Sequence, residues 1–166
     1  TMPDGTVWQY RYDEVGNRTE MTDPLGAIMQ WTYDAKNRLI QTRYPDLSID
    51  NTSYDLMGNK ISFTDRGGRI TGYEYDVDQR LIAIIDAVGA RTEFDRDQLG
   101  DVIAVTNPLG HVIRYRYDGR QRLIEEHKAT GEIIRYTYDL AGQLTQKLDA
   151  AQRSTQWIYD QMGRHA

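Results

Sequence analysis

The dipeptide Tyr-Asp recurs along this chain at intervals of 21 residues, and this period limits the possible folds more than any other feature. Seven of eight consecutive positions carry it, and the one gap falls at Arg96-Asp97, where the Asp is kept and the Tyr is lost. Eight copies therefore follow one another without insertion or deletion. Such a strict period is typical of repeat proteins, in which each copy packs only on its neighbours.

Other residues keep the same spacing, and we interpret all of them as structural repeat positions. The Tyr-Asp pairs are Tyr12-Asp13, Tyr33-Asp34, Tyr54-Asp55, Tyr75-Asp76, Tyr117-Asp118, Tyr138-Asp139 and Tyr159-Asp160. Glycine stands four residues after the Tyr position at Gly16, Gly58, Gly100, Gly142 and Gly163. Aromatic residues stand two residues before it at Tyr10, Trp31, Tyr73, Phe94, Tyr115, Tyr136 and Trp157.

The period equals three heptads, but a coiled coil is excluded because each glycine in a helix interior costs about 1 kcal/mol. The pattern aromatic-x-Tyr instead alternates as a β-strand does. In one copy it predicts a strand over 28–33, a turn over 34–37 and a return strand over 38–42. A second turn, Asp23-Pro24-Leu25-Gly26, has an Asp that can bond the backbone, a Pro that fixes φ and a Gly that permits the bend.

The sequence therefore predicts an all-β fold, a repeat array of antiparallel β-hairpins forming a curved, single-layer sheet. We expect residues 1–166 to hold eight repeats and a partial leading repeat around Gly5, with no separate second domain. We also expect the Tyr position to pair with the residue directly after the glycine position. One face would then collect the Tyr row, the aromatic row and a row of isoleucines, namely Ile40, Ile61, Ile82, Ile103 and Ile124.

Composition removes several classes of function. The chain has no cysteine, which excludes disulfide scaffolds and thiol nucleophiles. Its net charge of -5 argues against a nucleic-acid partner. The longest apolar run, Leu81 to Ile85, is far shorter than the roughly 20 residues of a spanning helix, so we expect no membrane insertion. Hydrophobic residues make up 39%, which suits a thin sheet better than a thick core.

Three groups of side chains could carry chemistry, and each also has a structural interpretation. The periodic aspartates could form a calcium ladder, but successive copies would lie roughly 10 Å apart, so we interpret them as turn caps. The run Arg114-Tyr115-Arg116-Tyr117 favours a solvated face, with binding to an acidic cargo surface as the alternative. His111, His127 and His165 show no metal-ligand spacing. We expect no catalytic residue, cofactor or metal, and hence no enzyme.

The segments Trp31-Thr32-Tyr33-Asp34-Ala35-Lys36-Asn37-Arg38-Leu39 and Tyr115-Arg116-Tyr117-Asp118-Gly119-Arg120-Gln121-Arg122-Leu123 resemble the YD repeats of the Rhs family. That family includes bacterial Rhs polymorphic toxins, the shell-forming components of Tc toxins, and teneurins. The resemblance implies a sheet that spirals into a hollow shell around a C-terminal toxin domain. The implied partners are the remainder of the shell and the enclosed toxin domain, in a secreted or translocated bacterial protein. A surface protein with an adhesive or carbohydrate-binding role is the alternative.

The two end strands of such a sheet would expose unpaired backbone groups, which can pair with another copy. We therefore expect this chain in isolation to form an edge-to-edge homo-oligomer, most simply a dimer. Size-exclusion chromatography with light scattering tests this expectation, and a strictly monomeric chain would refute it.

Overall fold

The computed structural model describes residues 7–160 and 162–165, which contain fifteen β-strands and no helix. The strands are β1 (Gln9–Tyr12), β2 (Arg18–Thr22), β3 (Ile28–Tyr33), β4 (Leu39–Arg43), β5 (Ile49–Tyr54), β6 (Lys60–Thr64), β7 (Ile70–Tyr75), β8 (Leu81–Ile85), β9 (Arg91–Arg96), β10 (Val102–Thr106), β11 (Val112–Tyr117), β12 (Leu123–His127), β13 (Ile133–Tyr138), β14 (Leu144–Leu148) and β15 (Ser154–Gln156). The strand predicted over 28–33 is correct, and the return strand predicted over 38–42 begins one residue later than predicted.

The chain divides into two compact units, Thr1–Ala90 and Arg91–Ala166. In the first unit β1 to β8 pair with one another antiparallel and in chain order. In the second unit β9 to β15 do the same. The predicted all-β array of antiparallel hairpins is thus confirmed. The continuity of eight repeats without a separate second domain stays a prediction, and the partial leading repeat around Gly5 lies outside the described residues.

Each unit is a single layer with almost no interior. Among the described residues only Ala83, with none of its surface exposed, and Ala104, at 7%, are buried. Both are small residues in the middle of strands, β8 and β10, where longer neighbours cover them. A sheet of this kind gains little from burial in a core, so the contacts between successive hairpins have to hold it together.

The predicted register of the hairpins is wrong by one residue at the tyrosine. Tyr33 lies opposite Leu39 and not Arg38, and Trp31 lies opposite Thr42 and not Ile40. The reason is a β-bulge in the return strand, which leaves Ile40 without a partner across the hairpin. The same shift occurs in the other hairpins that carry an isoleucine at this position, at Ile61, Ile82, Ile103 and Ile124. The isoleucine row therefore does not pair with the aromatic row.

The two faces of the sheet differ in chemistry because side chains alternate along each strand. One face carries the aromatic row, and Trp31 lies opposite Thr42 while Tyr73 lies opposite Ile84. The other face is polar in the first unit, where Gln30 donates to Glu20 at 3.0 Å and Gln41 donates to Asn51 at 2.9 Å. Since the described residues include no helix, they offer no helical segment able to cross a membrane.

The glycine position four residues after each tyrosine has a backbone requirement. Gly142 has φ +89, in the left-handed region that only glycine adopts without strain. Where the repeat has another residue here, the backbone keeps the same conformation, as at Gln121 with φ 60. The geometry of the turn, and not the identity of the side chain, therefore sets the backbone conformation at this position.

Replacing Gly142 by Ala is expected to lower the free energy of unfolding by about 1–2 kcal/mol, because Ala is strained at positive φ. Gly119→Ala is the matched control, since Gly119 lies in the equivalent turn one repeat earlier and a Cβ there meets no atom within 4 Å. Its φ is not among the positive values, so it is expected to be neutral or slightly stabilising. Urea denaturation measures both. Equal destabilisation by the two substitutions would contradict this account.

Candidate functional site

The Tyr-Asp turn, defined as the four residues that follow each tyrosine position, is closed by its aspartate. At Asp118 the carboxylate oxygen Oδ1 accepts the backbone N–H of Arg120 at 2.8 Å and that of Arg122 at 3.1 Å. The Gln121 N–H donates to the Asp118 carbonyl at 3.0 Å. One carboxylate oxygen thus satisfies two backbone donors that the turn would otherwise leave unpaired, which is the geometry of an Asx turn.

The second carboxylate oxygen binds the side chain that follows the glycine position. In four copies this residue is an arginine, and Arg122 contacts Asp118 Oδ2 through Nε at 2.8 Å and Nη2 at 2.7 Å. In the other copies with a hydrogen-bonding amide, Asn17 and Asn59 donate from Nδ2 to Asp13 and Asp55, each at 2.9 Å. The aspartate therefore fixes the turn and the start of the return strand together.

These hydrogen bonds keep the aspartates ionised. The Arg122 side chain, with the backbone N–H groups of Arg122 and Arg120, lowers the pKa of Asp118 to about 2. The backbone N–H of Arg38 and then its side chain also lower the pKa of Asp34. An ionised carboxylate forms stronger hydrogen bonds than a neutral one, so the cap is in its effective state at neutral pH.

In six copies the tyrosine hydroxyl joins the repeat to the one before it. Tyr117 at the end of β11 donates its O–H to the carbonyl of Val102, at the start of β10, at 2.9 Å. Backbone pairing between β10 and β11 has already ended at Ala104 and Arg114. The tyrosine side chain thus spans the space where the two strands no longer bond through their backbones.

This bond recurs with a constant separation of 15 residues. The donors and acceptors are Tyr33 to Arg18, Tyr54 to Leu39, Tyr75 to Lys60, Tyr117 to Val102, Tyr138 to Leu123 and Tyr159 to Leu144, at 2.9–3.2 Å. In each case the acceptor is the carbonyl directly before the bulged residue of the preceding return strand. The bulge removes ladder partners, and the tyrosine of the next repeat supplies one.

Long basic side chains link the Tyr-Asp turns in the opposite direction. Arg122 Nη1 donates to the carbonyl of Asp139 at 3.1 Å, and its guanidinium lies 4.8 Å from the ring centroid of Tyr138. Arg38 does the same to the next repeat, with its guanidinium 4.4 Å from the ring of Tyr54. Cation–π contacts of this kind add about 0.5–1 kcal/mol at exposed sites. Each repeat is therefore bonded forward and backward at the same end of the strands.

The aromatic row two residues before the tyrosines makes a different set of contacts. The Arg18 guanidinium lies 4.4 Å from the ring centroid of Trp31 and 5.8 Å from that of Tyr10. Lys60 lies 4.3 Å from the Phe63 ring and 5.1 Å from the Tyr73 ring. Arg18 thus bridges two successive residues of the aromatic row, and Lys60 links Tyr73 of the row to Phe63, which lies outside it.

The fifth copy departs from the pattern. Arg96 replaces the tyrosine and donates from Nη1 to the carbonyl of Gly100 at 2.9 Å. Asp101 stands where four other copies have arginine, and its Oδ2 is buried without a hydrogen-bond partner. Burial raises the pKa of the nearby Tyr117, and the charge of Asp101 adds to this effect. This copy lacks the usual aspartate–arginine pair at its turn.

The structure places the predicted repeat positions as follows. The tyrosines Tyr12, Tyr33, Tyr54, Tyr75, Tyr117 and Tyr138 end strands, and Tyr159 pairs with His165 in an isolated bridge. The aspartates Asp13, Asp34, Asp55, Asp76, Asp118, Asp139 and Asp160 begin the turns, and Gly16, Gly58, Gly100, Gly142 and Gly163 have φ between 77° and 103°. No group of three or more acidic or histidine side chains in the described residues is arranged to hold a metal ion.

Two features of the site were missed from the sequence. The first is the hydroxyl bond, although seven tyrosines at one position, with no phenylalanine among them, already indicate that the O–H is needed. The second is the extent of the caps in the other turn of the repeat: the cap predicted for this turn is confirmed at Asp23 and Asn107, and the same cap also forms at Asp65, Asp86 and Asp149. The signal in the sequence for these caps was an Asp or Asn at a constant spacing.

A protein-family model described as Teneurin YD-shell matches residues 2–165. No curated relative matches the chain. The match over almost the whole chain confirms the resemblance to YD repeats.

Solved structures show the same fold. A crystal structure of TcdB2-TccC3 without its hypervariable C-terminal region aligns with a TM-score of 0.77 at 20% identity, over 97% of this chain and 10% of that chain. The Tc holotoxin pore of Photorhabdus luminescens, with a TccC3 mutation, aligns with a TM-score of 0.70 at 17% identity, over 95% and 12%. The chain therefore spans about a tenth of the length of these structures. They confirm the predicted fold class, a segment of a β-shell.

Tyr117→Phe is expected to lower the free energy of unfolding by about 1 kcal/mol, because it removes one hydrogen bond and leaves the Val102 carbonyl without this donor. The matched control is Tyr12→Phe. Tyr12 is 60% exposed, and its hydroxyl bonds no described residue, so the substitution is expected to be neutral. Urea denaturation measures the free energy of unfolding of both variants and of the wild type. Wild-type stability in Tyr117→Phe would contradict the role given to the hydroxyl.

Proposed function

The chain belongs to the Teneurin YD-shell family, and on this basis we propose that it is a structural segment of a shell that encloses and sequesters a C-terminal toxin domain of a secreted bacterial toxin. The observation that carries the proposal is the repeating hydroxyl bond. It joins successive repeats in an identical way in six copies and so allows a wall to be extended repeat by repeat.

The lack of an interior supports a role as a wall. A sheet with only two buried residues among those described cannot enclose a ligand between layers of its own. It can separate two compartments if further repeats close it. In this mechanism the wall acts by exclusion, since an enclosed enzyme cannot reach a substrate outside. No catalytic group of this chain is needed for that task.

The solved relatives support the toxin part of the proposal. The two matched structures are those of TcdB2-TccC3 and of a Tc holotoxin pore. By analogy we propose that the partners of this chain are the remainder of its own shell and an enclosed toxin domain, and that the protein is secreted or translocated. We also propose that this chain in isolation pairs with a second copy through its exposed end strands, β1 and β15.

The alternative, an adhesive or carbohydrate-binding surface, would need open aromatic faces. Arg18 and Lys60 already lie over the rings of Trp31 and Tyr73 of the aromatic row, at 4.4 and 5.1 Å from their centroids. These cations occupy the faces on which a sugar ring would stack. The geometry therefore favours a structural use of the aromatic row.

Limited proteolysis of the full-length protein tests the proposal. The enclosed domain is expected to resist protease in the wild type. The double substitution Tyr117→Ala and Tyr138→Ala is expected to speed cleavage of the enclosed domain by at least about tenfold. The reason is that the cleavage rate follows the fraction of molecules in which the wall is open. Leu140→Ala, at a residue that is 92% exposed and outside the tyrosine row, is the control and is expected to leave the rate unchanged. A domain that is cleaved equally fast in wild type and double variant would contradict enclosure.

A further inference from the structure

One group of charges in the second unit is not explained by the repeat. Four side chains project from one face of the neighbouring strands β11, β12 and β13, and we call them the basic cluster: Arg114, Arg116, His127 and Arg135. Arg114 lies opposite His127, and Arg135 lies opposite Glu125. Three arginines and Glu125 leave a surplus of two positive charges within these three strands of the face, in a chain whose net charge is -5.

The other repeats serve as an internal control for what the fold requires. The position of Arg114 and Arg135 is occupied elsewhere by Gln9, Gln30, Asn51, Gly72, Glu93 and Gln156. The position of Arg116 is occupied by Thr32, Ser53 and Thr137 in three other copies. The same hairpins form with these residues, so a positive charge at these positions is not needed to build the sheet. The basic cluster is therefore a local addition to the wall.

The cluster already holds one carboxylate. Glu125 accepts from Arg116 at 2.8 Å and contacts His127 at 2.9 Å through Oε2, and it accepts from Arg135 at 3.2 Å through Oε1. The side chains of Arg116 and Arg135 remain 64% and 45% exposed, which leaves donors directed to solvent. Arg114 is exposed and forms no ion pair with the described residues. The arrangement suits further carboxylates from outside.

From this geometry we propose that the basic cluster is a docking surface for an acidic polypeptide segment. Arginine guanidinium groups can bind carboxylates with two parallel hydrogen bonds, and here Arg116 and Arg135 each donate one hydrogen bond to Glu125. Strand β9, which β10 separates from β11, carries Glu93 and Asp95 on the same face, with Ala104 between Asp95 and Arg114. These acids would repel an anionic ligand that extends toward β9, so an acidic segment is expected to lie over β11, β12 and β13, where the cluster already binds the carboxylate of Glu125. The inference concerns this chain itself and does not depend on an enclosed domain.

The test uses the whole chain, with fluorescent deca-glutamate as the probe and deca-glutamine as the uncharged comparison. The neutral variant combines Arg114→Gln, Arg116→Thr, Glu125→Gln and Arg135→Gln, and every new residue is one that other repeats have at the same position. Replacing Glu125 as well avoids leaving a half-buried carboxylate without partners. The control, Arg11→Thr with Arg43→Thr, removes the same net charge from the polar face of the first unit.

Fluorescence anisotropy at low salt is expected to show binding of deca-glutamate and not of deca-glutamine. The neutral variant is expected to lose about tenfold or more in affinity, and added salt is expected to weaken wild-type binding. The control is expected to stay within about twofold of wild type. Absence of deca-glutamate binding, or an equal loss in variant and control, would overturn the proposal. Tighter binding of a single-stranded oligonucleotide of matched charge would also overturn it in favour of a phosphate polymer.

Discussion

In six of the eight copies a hydrogen bond from a tyrosine hydroxyl to a carbonyl 15 residues earlier joins the repeat to the preceding one, and the rest of the structure depends on it. A single-layer sheet has no core to draw its elements together, so its stability depends on contacts between adjacent repeats. The backbone ladder between hairpins stops short of the Tyr-Asp turns. The tyrosine continues the connection beyond that point, where a phenylalanine would fill the space but leave the carbonyl unpaired.

The β-bulge and the tyrosine are two parts of one arrangement. The bulge adds a residue to each return strand, and the backbone pairing of β12 with β13 ends at Glu125 and Arg135, before the carbonyl of Leu123. Tyr138 of the next repeat then donates to this carbonyl. The ionised aspartate after the tyrosine closes the turn, and Arg122 connects the aspartate to the following repeat. Tyrosine, aspartate and arginine at fixed spacing therefore explain why the period tolerates no insertion.

Much of the fold follows from the sequence because the signals repeat. Alternation around Trp31 and Tyr33 defines a strand, and Asp, Pro and Gly at constant spacing define the turns. The register does not follow, because a bulge is a relation between two strands and leaves no mark in either strand alone. The hydroxyl acceptor at Val102 was hidden for the same reason, since a backbone carbonyl has no signature in the side-chain sequence.

The residues that break the period carry the remaining information. Asp101 and Arg96 weaken the regular pattern in the fifth copy, and Arg114 and Arg135 add charge where other copies have amides or other residues. In a repeat protein the periodic residues report the fold, and departures from them report what is particular to this chain. Alternation predicted that Arg114 and Tyr115 point to opposite faces, but the pairing of Arg135 with Glu125 required the structure.

The free energy that stabilises this wall comes from contacts between repeats and not from contacts within them. Unfolding free energies of chains that carry different numbers of complete repeats, cut at equivalent positions of the 21-residue period, measure this most directly. The account predicts that stability rises by a constant increment for each added repeat, and that the increment falls by about 1 kcal/mol when the added repeat has Phe at its tyrosine position. Stability that does not change with repeat number, or an increment that is the same with Phe, would contradict it.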